Sequence, residues 1–340
     1  TTKIMITTSI LMGTTLAACS NNWLLAWLGL ELNMLAALPV ISKTKHPRAI
    51  EASTKYFLTQ AIASCLLLFS STINAWQTGT WNITQMSNDY ASTMMLVALT
   101  MKAGTAPTHF WLPEVMQGST LLTCLMISTW QKIAPISLIF LLAHHIQPHI
   151  AIGLGLLSAA LGGWGGMNQT QLRKMMAYSS IANMGWTMAV LTTEPKTAVI
   201  NILIYIFMVT PTFFLLTSTS TKTLQNMTAS WTTSPMTSTT LALLLISMSG
   251  LPPFIGFLPK LLILNELLTQ NLTPTAILLT MTTLLNLVFY LRTAYLTTLL
   301  NSPASSTSTT KWRQKMAPVK ASALAPVTVT ALTTLPALMH

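Results

Sequence analysis

Apolar positions run through this chain in long, charge-free stretches. Residues 4–30, 56–88, 133–172, 197–221, 223–259 and 267–291 contain no Asp, Glu, Lys or Arg. A helix needs about 20 apolar residues to cross a bilayer. Divided at Pro, Gly, Asn and charged breaks, these stretches predict eleven spans. They lie near 3–19, 22–42, 55–75, 91–112, 119–142, 149–167, 174–193, 197–219, 238–264, 274–299 and 321–338. The runs are continuous rather than alternating, which argues for helices and against a membrane barrel. The expected fold is therefore all-α and polytopic.

Composition sharpens this. Apolar residues make up 51% of the 340 residues and charged residues 7%, whereas soluble domains carry about 25% charged residues. A soluble enzyme, a nucleic-acid binder and a secreted disulfide scaffold are excluded as main readings. The net charge of +11 is explained by loop asymmetry. With eleven spans, the amino-terminus shares a side with Lys43, Lys45, Arg48, Lys55, Arg173, Lys174, Lys222, Lys311, Arg313, Lys315 and Lys320, and it carries Lys3. Only Lys196 falls opposite. This bias places the amino-terminus on the cytoplasm-equivalent side. The first apolar run lacks a small-residue cleavage site, so no cleavable signal peptide is expected. Cys19, Cys65 and Cys124 show no Cys-x-x-Cys spacing and are expected to be buried small hydrophobes.

A few charges remain inside the spans. Glu31, Lys102 and Lys132 sit deep, Lys260 lies nearer an end, and Arg292 is close enough to the basic side to snorkel. An ionisable side chain at a helix centre costs about 3 kcal/mol on the lenient insertion scale, which points to use rather than accident. Lys102 precedes Gly104 and Pro107, and Lys260 follows Gly250, Pro252 and Pro253. Each cluster breaks a helix and frees backbone groups that only protein or water can satisfy. The broken spans are the fourth and the ninth. An offset of five inverts the second set of helices, the pattern of inverted repeats with function at the breaks. One membrane domain over 1–340 is expected: a first five-helix repeat over 1–142, a second over 149–299, a basic loop over 300–320 and a final helix over 321–340. Buried lysines near a movable carboxylate can hold and release protons, and His109 could extend the row.

Other signals carry less. Gly153-Leu154-Gly155 has no preceding strand for a dinucleotide site, while Gly162 and Gly166 fit close helix packing. His144, His145 and His149 lack a fourth metal ligand. Glu51, Asp89, Glu114, Glu194 and Glu266 fall near the interfaces and are expected to be solvated. No redox motif is readable.

Several motifs together carry a resemblance. They are Trp23 to Asn33, His46 to Phe57, Lys102 to Glu114 with its His109-Phe110-Trp111-Leu112-Pro113-Glu114 ending, Trp130 to Pro135, Gln171 to Ser180, and Gly250 to Lys260. Over about residues 20–300 the chain resembles the antiporter-like membrane subunits of respiratory complex I, the NADH–ubiquinone oxidoreductase. The resemblance implies a place in the mitochondrial inner membrane, with the amino-terminus in the matrix and the 300–320 loop on the matrix side. Bacterial relatives have fourteen helices and animal forms lack the first three, which suits eleven spans. It implies a subunit of a proton-pumping NADH:ubiquinone reductase, a translocase. FMN, iron–sulfur clusters and ubiquinone chemistry would belong to other subunits, with no cofactor or metal in this chain. Its partners would be the other membrane-arm subunits, including neighbouring antiporter-like subunits, and membrane lipids, with no nucleic acid. The family's proton axis maps onto Glu31, Lys102, Lys132 and Lys260. Asn183 departs from the pattern, standing where relatives often carry histidine. The expected mechanism is a switchable Glu31–Lys102 ion pair that passes protons toward Lys132 and Lys260. The same helix set would also serve a stand-alone cation/proton antiporter, or a structural subunit with a non-conducting axis.

Overall fold

The computed structural model describes residues 2–86, 88–219, 221–227 and 235–298. Within them the chain is helical throughout, with no β-strand. In chain order the helices are α1 (Thr2–Cys19), α2 (Trp23–Ile41), α3 (Pro47–Thr78), α4 (Asp89–Ala103), α5 (Trp111–Gly118), α6 (Leu121–Ser128), α7 (Trp130–Leu142), α8 (Pro148–Met167), α9 (Leu172–Val190), α10 (Pro195–Thr219), α11 (Pro235–Ser249), α12 (Phe257–Thr269) and α13 (Thr273–Thr298). Among the described residues seven helical stretches are long and apolar enough to cross a membrane. Of the other expected spans, 91–112 and 238–264 are the broken pair. The 174–193 span forms α9, which opens on Arg173 and Lys174 and is less apolar. The last, 321–338, lies outside the described residues, as does the 300–320 loop.

Helix ends follow their caps rather than the hydropathy edges. α3 starts at Pro47, eight residues before the expected span edge. His46 accepts a hydrogen bond from the Arg48 N–H, and proline suits the first turn. It stops at Gly79, which takes the left-handed conformation at φ 69°. Asn88 caps α4 by accepting from the Tyr90 N–H at 2.9 Å. Serine and threonine hydroxyls return to carbonyls three or four residues back, as Ser64 does to Ala61 and Thr212 to Val209. These bonds let polar residues sit in apolar helices without orphaned hydroxyls.

The expected span at 119–142 is present as the apolar stretch Leu121–His145, with an interruption the sequence did not signal: it divides into α6 and α7 at Thr129 (φ −115°, ψ −72°). The Thr129 hydroxyl and N–H both go to the Leu125 carbonyl. Pro135 inside α7 cannot return an N–H to the preceding turn. Lys132 therefore stands in the first turn of α7 and, as expected, near the middle of the Leu121–His145 span.

The chain divides into two compact units, Thr1–Ser158 with Met188–Pro195, and Ala159–Thr187 with Lys196–His340. In the first unit α1 packs on α2 through glycines. A Cβ on Gly29 would come 2.6 Å from the Ala17 nitrogen, and one on Gly13 would come 2.9 Å from the Asn33 nitrogen. α3 packs on α2, α4 and α5, and α7 on α1 and α4. Gly118 closes α5 onto the start of α3, where a Cβ would meet the Arg48 carbonyl oxygen and the Ala52 side chain. In the second unit α13 packs against α11 and α12. Gly162 lies against Ala182 and Gly166 against Phe289, so the close packing expected of these glycines is present. The cysteine expectation holds only for Cys124. Cys19 and Cys65 are exposed from the chain, on helix faces that carry apolar neighbours outward.

Candidate functional site

The first unit builds its site around the end of α4. Gly104 caps the helix at φ 77°, giving its N–H to the Thr100 and Met101 carbonyls. The chain then leaves helical geometry until α5. Carbonyls freed by the break are taken up by side chains. Gln60 of α3 donates to the Lys102 carbonyl at 3.4 Å, and the Trp111 indole N–H donates to the Met101 carbonyl at 3.2 Å. Tyr56 meets the Trp111 ring edge-on at 5.7 Å.

A small cavity opens beside this break. Its polar lining comes from Asn33, Tyr56, Gln60, Lys102, Gln131 and Lys132. Lys102 is only 6% exposed, and its Nζ makes no hydrogen bond among the described residues. Lys132 is equally buried, at 4% exposure. The structure thus brings two of the expected lysines to one cavity in one unit. Gln131 donates to the Asn33 carboxamide oxygen at 2.9 Å, linking α7 to α2.

Glu31 is half-buried on α2. Its charge is within electrostatic reach of Lys102. Among the described residues no salt bridge joins the two, and Glu31 does not line the cavity. The expected pair is therefore in an open arrangement here. His109 is buried in the break, with its Nδ1 3.3 Å from the Pro107 carbonyl oxygen and its ring against Phe110. It too lies outside the cavity lining.

Sequence reasoning missed the partners of two interfacial acids. Glu51 and Glu114 are not simply solvated: both pair with Lys55 at 2.5 Å, tying α5 to α3. The i,i+4 spacing of Glu51 and Lys55 was the one signal that could have found the first pair. The Glu114 pair spans separate helices and leaves no local signature. Arg292 is exposed and donates to the Met167 carbonyl at 3.1 Å, in keeping with a snorkelling end position.

The second unit holds Lys260. It is 7% exposed, and its ammonium donates to the Ser249 carbonyl at 2.6 Å, the last residue of α11. Its Nζ also lies 6.0 Å from the centre of the Trp186 ring, at the outer limit for cation–π attraction. Gly250, at φ 81°, leaves room for this fold-back: a Cβ there would come 2.7 Å from the Lys260 Nζ. A cation at a helix carboxyl end is favourably placed against the helix dipole. Asn183 turns its amide back to the Ser179 carbonyl of its own helix at 2.9 Å. Among the described residues no three His, Cys, Asp or Glu side chains converge as a metal site.

A family model described as the NADH:quinone oxidoreductase/Mrp antiporter transmembrane family matches residues 20–286. The chain is 50% identical over 305 residues to NADH-ubiquinone oxidoreductase chain 2 of Cyprinus carpio, covering 90% of this chain and 88% of that one. It is 48% identical over 309 residues to the chain of that name in Xenopus laevis, covering 91% and 90%. Among solved structures it is similar to a chain of respiratory complex I from Thermus thermophilus, at TM-score 0.83 and 24% identity over 96% of this chain and 76% of that one. A chain of the Mrp complex from a Dietzia species gives TM-score 0.80 at 17% identity, over 96% and 74%.

Proposed function

The chain belongs to the NADH:quinone oxidoreductase/Mrp antiporter transmembrane family, and from that premise we propose that it is a proton-translocating, antiporter-like subunit of respiratory complex I. Redox chemistry takes place in other subunits, and this chain serves the proton-pumping NADH:ubiquinone reductase from within the mitochondrial inner membrane. Its amino-terminus faces the matrix, supported by the one-sided distribution of loop cations. Its partners are the neighbouring membrane-arm subunits.

The observation that carries this reading is the Lys102 side chain, buried beside Lys132 in a polar cavity with no hydrogen-bond acceptor in place among the described residues. A buried cation without a partner is costly, and an approaching acceptor stabilises it. Glu31 on α2 is that acceptor. Its approach holds the proton on Lys102, and its withdrawal releases the proton toward Lys132 through water in the cavity. Lys260 is the proton-holding lysine of the second unit, and His109 is a secondary relay at the break. No carboxylate lines the cavity among the described residues.

The test is Lys102→Met in the assembled complex. The expected outcome is normal insertion and NADH oxidation to an artificial acceptor, with a lowered ratio of protons pumped to electrons transferred. An unchanged ratio in a fully assembled complex would refute the reading.

A further inference from the structure

The cavity contains a pair of residues that the lysine axis does not use. Asn33 and Gln131 stand 98 positions apart, yet the Gln131 amide donates to the Asn33 oxygen at 2.9 Å. Asn33 lies two residues after Glu31 on α2, and Gln131 immediately precedes Lys132 on α7. Both line the cavity into which Lys102 projects.

Gln60 offers a contrast. Its amide satisfies the Lys102 backbone carbonyl left free by the helix break, a structural duty sufficient to explain it. The Asn33–Gln131 bond satisfies no backbone group. A buried amide and a half-buried one that serve only each other are replaceable by apolar side chains at little cost, so packing alone does not require them. Asn33 is also held firmly. It is 2% exposed, and α1 presses on its backbone through Gly13, where a Cβ would lie 2.9 Å from the Asn33 nitrogen. Beyond their mutual bond, the Asn33 NH2 and the Gln131 oxygen have no protein partner among the described residues, and neither is a sealed orphan atom. Both face the cavity with hydrogen-bonding capacity left over.

We propose that Asn33 and Gln131 are positioning residues which hold the water that carries protons between Lys102 and Lys132. The Gln131 oxygen accepts from that water and the Asn33 NH2 donates to it, so its lone pair and its protons stay aligned between the two amines. The bond between the amides also joins the Glu31 helix to the Lys132 helix, so a shift of α2 is transmitted to the water site. This role rests on the proton-translocating reading above.

The test compares two variants of the intact complex with Lys102→Met, using the proton-to-electron ratio and native-gel assembly. The double variant Asn33→Leu/Gln131→Met removes both amides together and leaves no orphaned partner. It is expected to assemble and to lower the ratio to the level of Lys102→Met. The exchange variant Asn33→Gln/Gln131→Asn keeps an amide pair and is expected to recover most of the wild-type ratio. A double variant that assembles and pumps normally, while Lys102→Met does not, overturns the proposal and leaves the proton-translocating reading intact. If Lys102→Met also pumps normally, that reading itself fails. Should the double variant not assemble, the exchange variant decides: pumping near wild type supports the water site, and pumping at the Lys102→Met level overturns it.

Discussion

Gly250 offers a sharp test of how the second unit holds its lysine. Its φ of 81° is left-handed, so alanine there incurs backbone strain of about 1–2 kcal/mol. Gly79 has a similar φ of 69°, but a Cβ there meets nothing within 4 Å. At Gly250 the Cβ would come 2.7 Å from the Lys260 Nζ and 2.9 Å from its Cδ. The flexible lysine must move, and it then loses its bond to the Ser249 carbonyl. Hydrogen bonds to charged groups are worth about 1.5–3 kcal/mol. Gly79→Ala should therefore cost about 1–2 kcal/mol and Gly250→Ala about 3–5 kcal/mol. The difference, about 2 kcal/mol, is roughly a twenty- to thirtyfold shift in a local equilibrium. The assay is heat resistance of the complex on native gels, read alongside NADH-driven proton pumping. Gly79→Ala should pump normally, whereas Gly250→Ala should pump poorly even at temperatures where it stays assembled. Equal behaviour of the two variants would refute the claim that the glycine exists to seat Lys260.

Two further substitutions probe the first unit. Gly29→Val would drive a branched side chain into the α1 backbone, 2.6 Å from the Ala17 nitrogen. It should cost about 3 kcal/mol or more and reduce the amount of assembled complex, and wild-type amounts on native gels would contradict the helix crossing. Trp111→Phe keeps the ring against Tyr56 but loses the bond to the Met101 carbonyl. Heat stability should fall by about 1 kcal/mol with pumping preserved, and graded heating followed by a pumping assay checks both.

The helices and both breaks were legible because their causes are local. Gly104 and Gly250 are the left-handed caps, and the prolines behind them prevent the helix from resuming at once. The buried lysines were legible for a different reason: a charge inside an apolar run stands out against its neighbours. The Thr129 interruption was not legible, since no glycine marks it and the proline that weakens the helix lies six residues later. The start of α3 was misplaced because hydropathy follows the membrane edge, whereas the helix follows His46 and Pro47. The pairs Lys55–Glu114 and Asn33–Gln131 join distant helices, and a one-dimensional pattern holds no trace of them.

The two breaks share one register, and against it the lysines differ. Pro107 and Pro253 each stand three residues after their glycine, Trp111 and Phe257 seven after, and Pro113 and Pro259 nine after. The return helices α5 and α12 begin at the matching aromatic positions. Lys102, however, lies two residues before its glycine, while Lys260 lies ten after its own. The position ten after Gly104 is Glu114, which turns to Lys55 instead of to the broken helix end. Lys260 reaches back to the carbonyl just before its glycine, so its ammonium has an acceptor built into the backbone. Lys102 has none. Under the proposed mechanism the units therefore answer to different signals. The first responds to whatever acceptor enters its cavity, with Glu31 as the charged one and water at Asn33 and Gln131 as the neutral one. The second responds to separation of the α11 end from Lys260, because the Ser249 carbonyl must part from the ammonium before its proton is released. A substitution that stiffens the first break without touching Lys102 should then leave proton release in that unit largely intact. Stiffening the second break should impair release from Lys260 directly.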